Sequence, residues 1–371
     1  MHLYLHVPFC ARRCSYCDFA IAIRRDVPSG AYAGAVLREW ADWQRHEIWA
    51  ESPRVESVYF GGGTPSRLEP GVIGRILERI AADRGLAPAA EVTLEANPDD
   101  VTLEAAGAWR AGGINRVSLG GQSFDQAVLG WMHRTHSAGQ IGAAVATLRA
   151  AGIPELSLDL IFGLPPALGR DWEADLRQAL ALRPDHLSLY GLTIEDHTPL
   201  ERWTARGEVT PVDEDRYAAE FLEADTLLGQ AGYEHYEVSN YALAGRRARH
   251  NSAYWRRAPF IGIGPSAHSG WGTNRRWNLR EWAAYERAVV AGESPVAGTE
   301  CLDDAAVELE ELYLGLRTRE GVPGDRLPRD TADAWIEAGW ATMSGSVVRL
   351  TAEGWLRLDA LTAAASRALS S

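Results

Sequence analysis

Six short β-rich segments recur along residues 2–194, and each of the first five leads into an amphipathic or alanine-rich stretch of helical length. They are HLYLHV from His2, SVYFGG from Ser57, EVTLEAN from Glu91, RVSLGGQ from Arg116, ELSLDLIF from Glu155 and HLSLYGLTI from His186. Strand signals that alternate with helix signals cannot close as hairpins. Consecutive strands must run parallel, joined by right-handed crossovers. The expected fold is α/β, a partial (β/α)6 barrel two units short of the eight-stranded form.

Parallel α/β architectures gather reactive groups at the carboxyl ends of their strands, where loops and helix N-termini converge. Cys10, Cys14 and Cys17 follow the first strand, and Gly61, Gly62, Gly63 and Thr64 close the second. Glu95 and Asn97 end the third, Gln122 ends the fourth, and Asp159 sits late in the fifth. One open rim is expected to collect them. Beyond residue 210 a helical stretch near Glu214 to Ala231 leads into a Gly-, Tyr- and Arg-rich region through Ser269, expected as a connector or lid against the barrel mouth. From Asp303, two helical segments, a hairpin in ATMSGSVVRL and a further helix read as a small winged-helix-like unit. The expected divisions are 1–210, 211–300 and 301–371.

A length of 371 residues and 46% hydrophobic content suit one large packed domain with a smaller one attached. A formal net charge of -13 argues against a broad phosphate-binding face, so no nucleic-acid partner is expected. With no apolar run of spanning length and no basic leader, the expected location is the cytoplasm. Four cysteines, three of them grouped, do not make a disulfide framework.

The grouped cysteines stand in CARRCSYC, a Cys-x3-Cys-x2-Cys spacing that brings three thiolates to one centre. A 4Fe-4S cubane normally takes four, so three ligands leave one iron open. The competing reading is zinc with His6 as fourth ligand, but zinc knots come as two separated pairs and Cys301 is alone. The triple glycine clears side chains from a backbone that a ligand can approach closely. Glu95, Gln122, Arg134 and Asp159 are polar at positions where a structural role favours Val, Ile or Leu, and a buried carboxylate needs a partner. Mutual salt bridges across the rim are the alternative use for them.

The cysteine motif resembles the signature of the radical S-adenosylmethionine (SAM) superfamily, in which the open iron chelates SAM and the reduced cluster cleaves it. LYLHVPFC, YFGGGTPS, LEANPDD, LGGQSFD, DLIFGLP, SLYGLTIEDHTPL, YEVSNYA, HNSAYW and GIGPSAHS extend the resemblance along nearly the whole chain. Together they resemble the HemW family of haem chaperones, relatives of the oxygen-independent coproporphyrinogen III dehydrogenase. The resemblance implies three cofactors or ligands: a 4Fe-4S cluster on Cys10, Cys14 and Cys17, SAM, and haem. Around SAM it implies Tyr4, Tyr16, Gly62, Gly63, Thr64, Glu95, Gln122, Arg134 and Asp159, with Thr193 and His268 nearby. It implies His250, in HNSAYW, as an axial haem ligand, with Tyr254 on the same helical face and aromatic neighbours over the macrocycle. Arg246, Arg247 and Arg249 precede that motif, and one of them is expected to pair with a haem propionate.

Two departures separate this chain from the dehydrogenase pattern. Phe19 stands where that pattern has a further cysteine, and only nine residues precede Cys10 where it has an N-terminal extension. The expected function is therefore to bind haem and deliver it to apo-haemoproteins such as respiratory enzymes, as a homodimer in peripheral contact with the membrane. The alternative is a radical enzyme, a porphyrinogen dehydrogenase or a methyltransferase.

Overall fold

The structure, a computed structural model, describes residues 1–50 and 54–369. Strands β1 (His2–Val7), β2 (Val55–Gly62), β3 (Leu86–Ala96), β4 (Arg116–Gln122), β5 (Glu155–Phe162) and β6 (His186–Gly191) lie side by side in sequence order, every pair parallel. All six expected segments are strands, and only β3 begins well before its expected start. Helices α1 (Ser29–Trp43), α2 (Pro70–Arg84), α3 (Leu103–Ala111), α4 (Ala138–Ala150) and α5 (Trp172–Ala181) carry the crossovers.

Side chains along these strands sort by alternation. Leu3 and Leu5, Val58 and Phe60, Val92 and Leu94, Val117 and Leu119, Leu158 and Leu160, and Leu187 and Leu189 are all buried in one continuous core. That core lies between the sheet and its helices, and each such side chain contributes on the order of 1.5–3 kcal/mol by leaving water. The intervening residues point the other way and are mostly polar: His2, Tyr4 and His6 on β1, Ser57 and Tyr59 on β2, Glu91, Thr93 and Glu95 on β3. Arg116 and Ser118, Ser157 and Asp159, and His186 and Ser188 continue the series. They bond to one another across strands, as His2 Nδ1 with Ser57 Oγ at 2.8 Å, Tyr59 with Glu95 at 2.8 Å, Ser118 with Asp159 at 3.0 Å and Ser157 with His186 at 2.8 Å. The barrel therefore has a polar interior inside an apolar sleeve.

The sheet does not end where the six units do. After α6 (Glu214–Gln230), strands β7 (Glu234–Glu237) and β8 (Asn240–Ala242) add antiparallel beyond β6. The chain then passes through α7 (Arg249–Trp255) to β9 (Phe260–Ile263), which pairs parallel with the free edge of β1. An antiparallel meander of β10 (His268–Trp271), β11 (Asn274–Asn278) and β12 (Val296–Cys301) completes a 12-stranded sheet. The segment expected as a separate connector is thus woven into both edges of the sheet.

Helix α7 bridges those edges, and it does so away from the expected place. The Glu91 carboxylate accepts the backbone N–H groups of Arg249 at 2.8 Å and His250 at 3.0 Å, satisfying donors that a helix start leaves open. Glu91 and its neighbour Ser57 belong to the inward layer farthest from the cysteine loop, so α7 closes the floor of the barrel rather than lidding its mouth. Beyond β12, helices Asp304–Leu316 and Arg329–Glu337 precede the hairpin of β13 (Ala341–Ser344) and β14 (Val347–Leu350) and the helix Leu358–Leu369, in the expected order. Among the described residues, no helix is long and apolar enough to cross a membrane.

Candidate functional site

The cysteine loop is clipped at its base. Phe9 and Cys10 pair in parallel with Ala22 and Ile23, the Ala22 N–H donates to Pro8 O at 2.7 Å, and the Arg24 N–H donates to Cys10 O at 3.0 Å. The far side is tied by the Ser15 N–H to Met132 O at 3.2 Å and by the Leu200 N–H to Ser15 O at 2.9 Å. Cys10, Cys14 and Cys17 are free, half-buried thiols facing a cavity of about 460 Å³. Thr64 Oγ1 donates to Cys10 Sγ at 3.4 Å and Arg134 Nη1 to Cys14 Sγ at 3.6 Å. Burial pushes the Cys10 and Cys17 thiols up, Cys17 to about 11, with the Thr64 hydroxyl opposing the shift at Cys10.

Among the described residues, no three His, Cys, Asp or Glu side chains crowd closely enough to hold a single metal ion. A zinc site needs its donors about 2–2.3 Å from one point, whereas a cubane offers each thiolate a different iron. His6, the conceivable fourth zinc ligand, is committed elsewhere: Nε2 lies 2.9 Å from Ala20 O and Nδ1 3.1 Å from the Tyr4 hydroxyl.

The remaining wall comes from strand ends, as expected. Gly62, at φ 111°, donates its N–H to Glu95 Oε2 at 3.0 Å, while Glu95 Oε1 accepts from Tyr59. Burial, only partly offset by those hydrogen bonds, raises Glu95 to about 7. The glycines serve the protein's own packing as well: a Cβ at Gly62 would lie 2.5 Å from the His6 ring, and one at Gly63 would lie 2.8 Å from the backbone of Pro8. Arg134 bridges strands three and four by donating Nη2 to Asn97 Oδ1 at 2.6 Å and to Gly120 O at 2.9 Å, and its buried Nε has no protein partner. Gln122 sits at φ 68° beside a register slip between Gly120 and Gln122, which turns the end of β4 toward the cavity. Asp159 is raised by burial against hydrogen bonds from Ser188, Ser118 and Ser157.

Tyr16, Gly63, Thr64 and Thr193 also line this cavity, whereas Tyr4 and His268 do not. Tyr4 points inward one layer deeper, into a second cavity of about 590 Å³ that shares Asp18, Phe19, Gly62 and Glu95 with the first. Phe19, 57% exposed, stands at the divide, and Arg280 Nη2 holds the adjoining Asp18 carbonyl at 2.9 Å. Tyr190, Ile161, Ser118 and Glu195 also line the first cavity and escaped the sequence reading. The strict polar-apolar alternation of the strands marks Ser118 and Tyr190 as inward-facing and was the available signal.

His250, Tyr254 and His268 line the second cavity. α7 places His250 and Tyr254 one turn apart, as expected, with Nε2 2.8 Å from the Tyr254 hydroxyl. His250 Nδ1 lies 2.7 Å from Ser57 Oγ, and Tyr59 stacks on the ring at 5.0 Å. The imidazole is 1% exposed, and burial holds it well below the usual histidine range. The preceding arginines are partly exposed, and each is paired with a carboxylate of the protein. Arg246 pairs with Glu155 at 2.9 Å, Arg247 with Glu234 and Glu320 at 2.6 Å each, and Arg249 with Glu91 at 3.8 Å, so carboxylates of the protein already occupy the role expected for propionates.

Residues 4–179 match the radical SAM superfamily model. The chain is 36% identical to a protein of Mycobacterium tuberculosis named heme chaperone HemW, over 97% of this chain and 93% of that one. It is also 36% identical to the mouse mitochondrial radical S-adenosyl methionine domain-containing protein 1, over 96% and 82%. The solved structure of coproporphyrinogen III oxidase (HemN) from Escherichia coli, a radical SAM enzyme, shares the fold with a TM-score of 0.78 over 97% of this chain and 88% of that one, at 21% identity. On the extent and level of these identities, the chain belongs to the HemW family of the radical SAM superfamily.

Proposed function

We propose that this protein is a haem chaperone that holds SAM on a three-cysteine 4Fe-4S cluster in the first cavity, holds haem in the second, and passes haem to apo-haemoproteins. The observation that carries the reading is the adjacency of the two cavities, one faced by all three grouped thiols and the other by the HNSAYW helix, with four residues in common. The relatives named as haem chaperones supply the cargo.

The residues fit the cofactors. Three free thiols face one space, two of them already accept hydrogen bonds, and the buried Arg134 Nε aims an unused donor from the same wall. Bound there, a cluster with one open iron supplies one-electron chemistry to SAM. Cys10, Cys14 and Cys17 would hold it. Glu95 and Asp159 offer carboxylates to ribose hydroxyls or to the SAM ammonium, Arg134 and Gln122 offer donors, and Tyr16 covers the adenine. The second cavity falls within the size range of pockets that enclose cofactor-sized ligands. Three free thiols in an open pocket require a reducing compartment, and delivery to membrane-bound respiratory enzymes would proceed by surface contact.

The test is anaerobic reconstitution of the cluster, haem titration, and transfer to an apo-haemoprotein. Stoichiometric haem that moves to the acceptor, without conversion of coproporphyrinogen III, is expected. Turnover of coproporphyrinogen III with release of 5'-deoxyadenosine and no specific haem binding would establish the radical enzyme instead, a reading favoured by the complete wall of SAM-facing polar residues.

A further inference from the structure

Resting on the haem reading above, we infer that the iron ligand offered by α7 is the phenolate of Tyr254, and that His250 is the positioning residue that takes its proton. A histidine that ligates haem needs one ring nitrogen free toward the metal. His250 has neither: Nδ1 is 2.7 Å from Ser57 Oγ, Nε2 is 2.8 Å from the Tyr254 hydroxyl, and the ring is 1% exposed beneath Tyr59. Tyr254 is half-buried, faces the second cavity, and stands over Nε2, the nitrogen an axial histidine would present. Iron entering from the cavity meets the tyrosine oxygen first. Phenolate is an established haem ligand, and a hydrogen bond from a neighbouring ring both orients such a ligand and tunes it.

Ligation breaks the Tyr254 O–H bond as the Fe–O bond forms, and the floor of the barrel provides a route for that proton. Tyr254, His250, Ser57 and His2 form one hydrogen-bonded line with steps of 2.8, 2.7 and 2.8 Å. The phenolic proton passes to His250 Nε2, the Nδ1 proton moves to Ser57 Oγ, and the hydroxyl proton moves to His2 Nδ1. His2 then releases its Nε2 proton to solvent beside Glu56, whose side chain is 63% exposed and 3.8 Å away. Every member ends neutral except the phenolate, whose charge the ferric iron balances. An alanine at position 57 would cut the line at its centre.

Ferric haem is titrated into the full-length, cluster-reconstituted protein and into Tyr254→Phe and His250→Gln, with visible absorption, resonance Raman and electron paramagnetic resonance as readouts. SAM binding serves as the folding control for each variant. Wild type is expected to show iron–phenolate vibrations and a high-spin ferric signal. Tyr254→Phe is expected to lose both, while His250→Gln keeps the phenolate signature with affinity lowered about 10- to 100-fold, as for loss of a group supporting a metal ligand. An unchanged spectrum and affinity in Tyr254→Phe, with ligation abolished in His250→Gln, would overturn the assignment and leave the haem reading intact. Wild type that binds no haem would overturn both.

Discussion

Substituting Gly63→Ala tests how the glycine loop positions the first cysteine. A Cβ at Gly63 would lie 2.8 Å from both C and O of Pro8 and 2.9 Å from Val7 O, where ordinary contact begins at 3.4 Å. All three obstacles are backbone atoms, so no rotamer change relieves them, and the strand leading to Cys10 must retreat by roughly half an ångström. That stretch is held on three sides, by the Gly63 N–H to Val7 O at 2.8 Å, the Thr64 N–H to Phe9 O at 2.9 Å and the Ala22 N–H to Pro8 O at 2.7 Å. Overpacking of this kind costs about 1–3 kcal/mol, and weakening one or two of those bonds adds about 1 kcal/mol each. The expected loss is therefore about 2–5 kcal/mol in urea unfolding of the cluster-free protein, with lowered iron content and SAM binding after reconstitution. Gly107→Ala, within α3 and facing open space, is the control and should stabilise by about 0.5–1 kcal/mol. A Gly63→Ala variant within about 0.5 kcal/mol of wild type that binds SAM normally would refute the steric reasoning.

The Glu95 carboxyl, held at about 7 against an ordinary 4.5, binds its proton more tightly folded than unfolded. The stability this contributes is fully present below pH 4.5 and is lost as pH rises through 7. The loss is at most about 3 kcal/mol, since the group also faces an open cavity. Relative to Glu95→Gln, wild type should lose stability between pH 5 and pH 8 in matched urea titrations, and parallel pH profiles would count against the assignment. Arg134→Ala strips the donor from Asn97 Oδ1 and Gly120 O. It should weaken SAM binding at least about tenfold by calorimetry, the scale of one charge-assisted hydrogen bond. Glu220→Ala leaves Arg170, whose side chain is 1% exposed, without its 2.7 Å partner, and should destabilise by about 3–5 kcal/mol in thermal or urea unfolding.

The barrel and its cysteine-lined cavity were legible because both follow from local signals. Strand segments are set by residues within each segment, and parallel pairing then carries their carboxyl ends to one side, which is why Cys10, Glu95, Gln122 and Asp159 meet. Tyr4 belongs to the middle of β1, and its depth below the rim depends on register rather than on sequence spacing. Arg246, Arg247 and Arg249 read as a basic cluster because their partners lie outside the motif. Arg246 pairs with a carboxylate 91 residues away, and the start of α7 is capped from 158 residues away. The edge strands β7 to β9, at three or four residues each, are too short to show a period, and their pairing is decided by which sheet edges remain free.

That last pairing has a bearing on biosynthesis. β1 carries the cysteine loop at its end, yet one of its two neighbours is the much later segment Phe260–Ile263. Until that segment has been translated, the outer hydrogen-bonding edge of β1 stays unpaired, an exposure that invites intermolecular strand addition. A nascent chain stalled before Phe260 would present the cysteine loop on an open sheet. Truncation at residue 210 would leave that edge of β1 open and yield an aggregation-prone fragment rather than a minimal barrel.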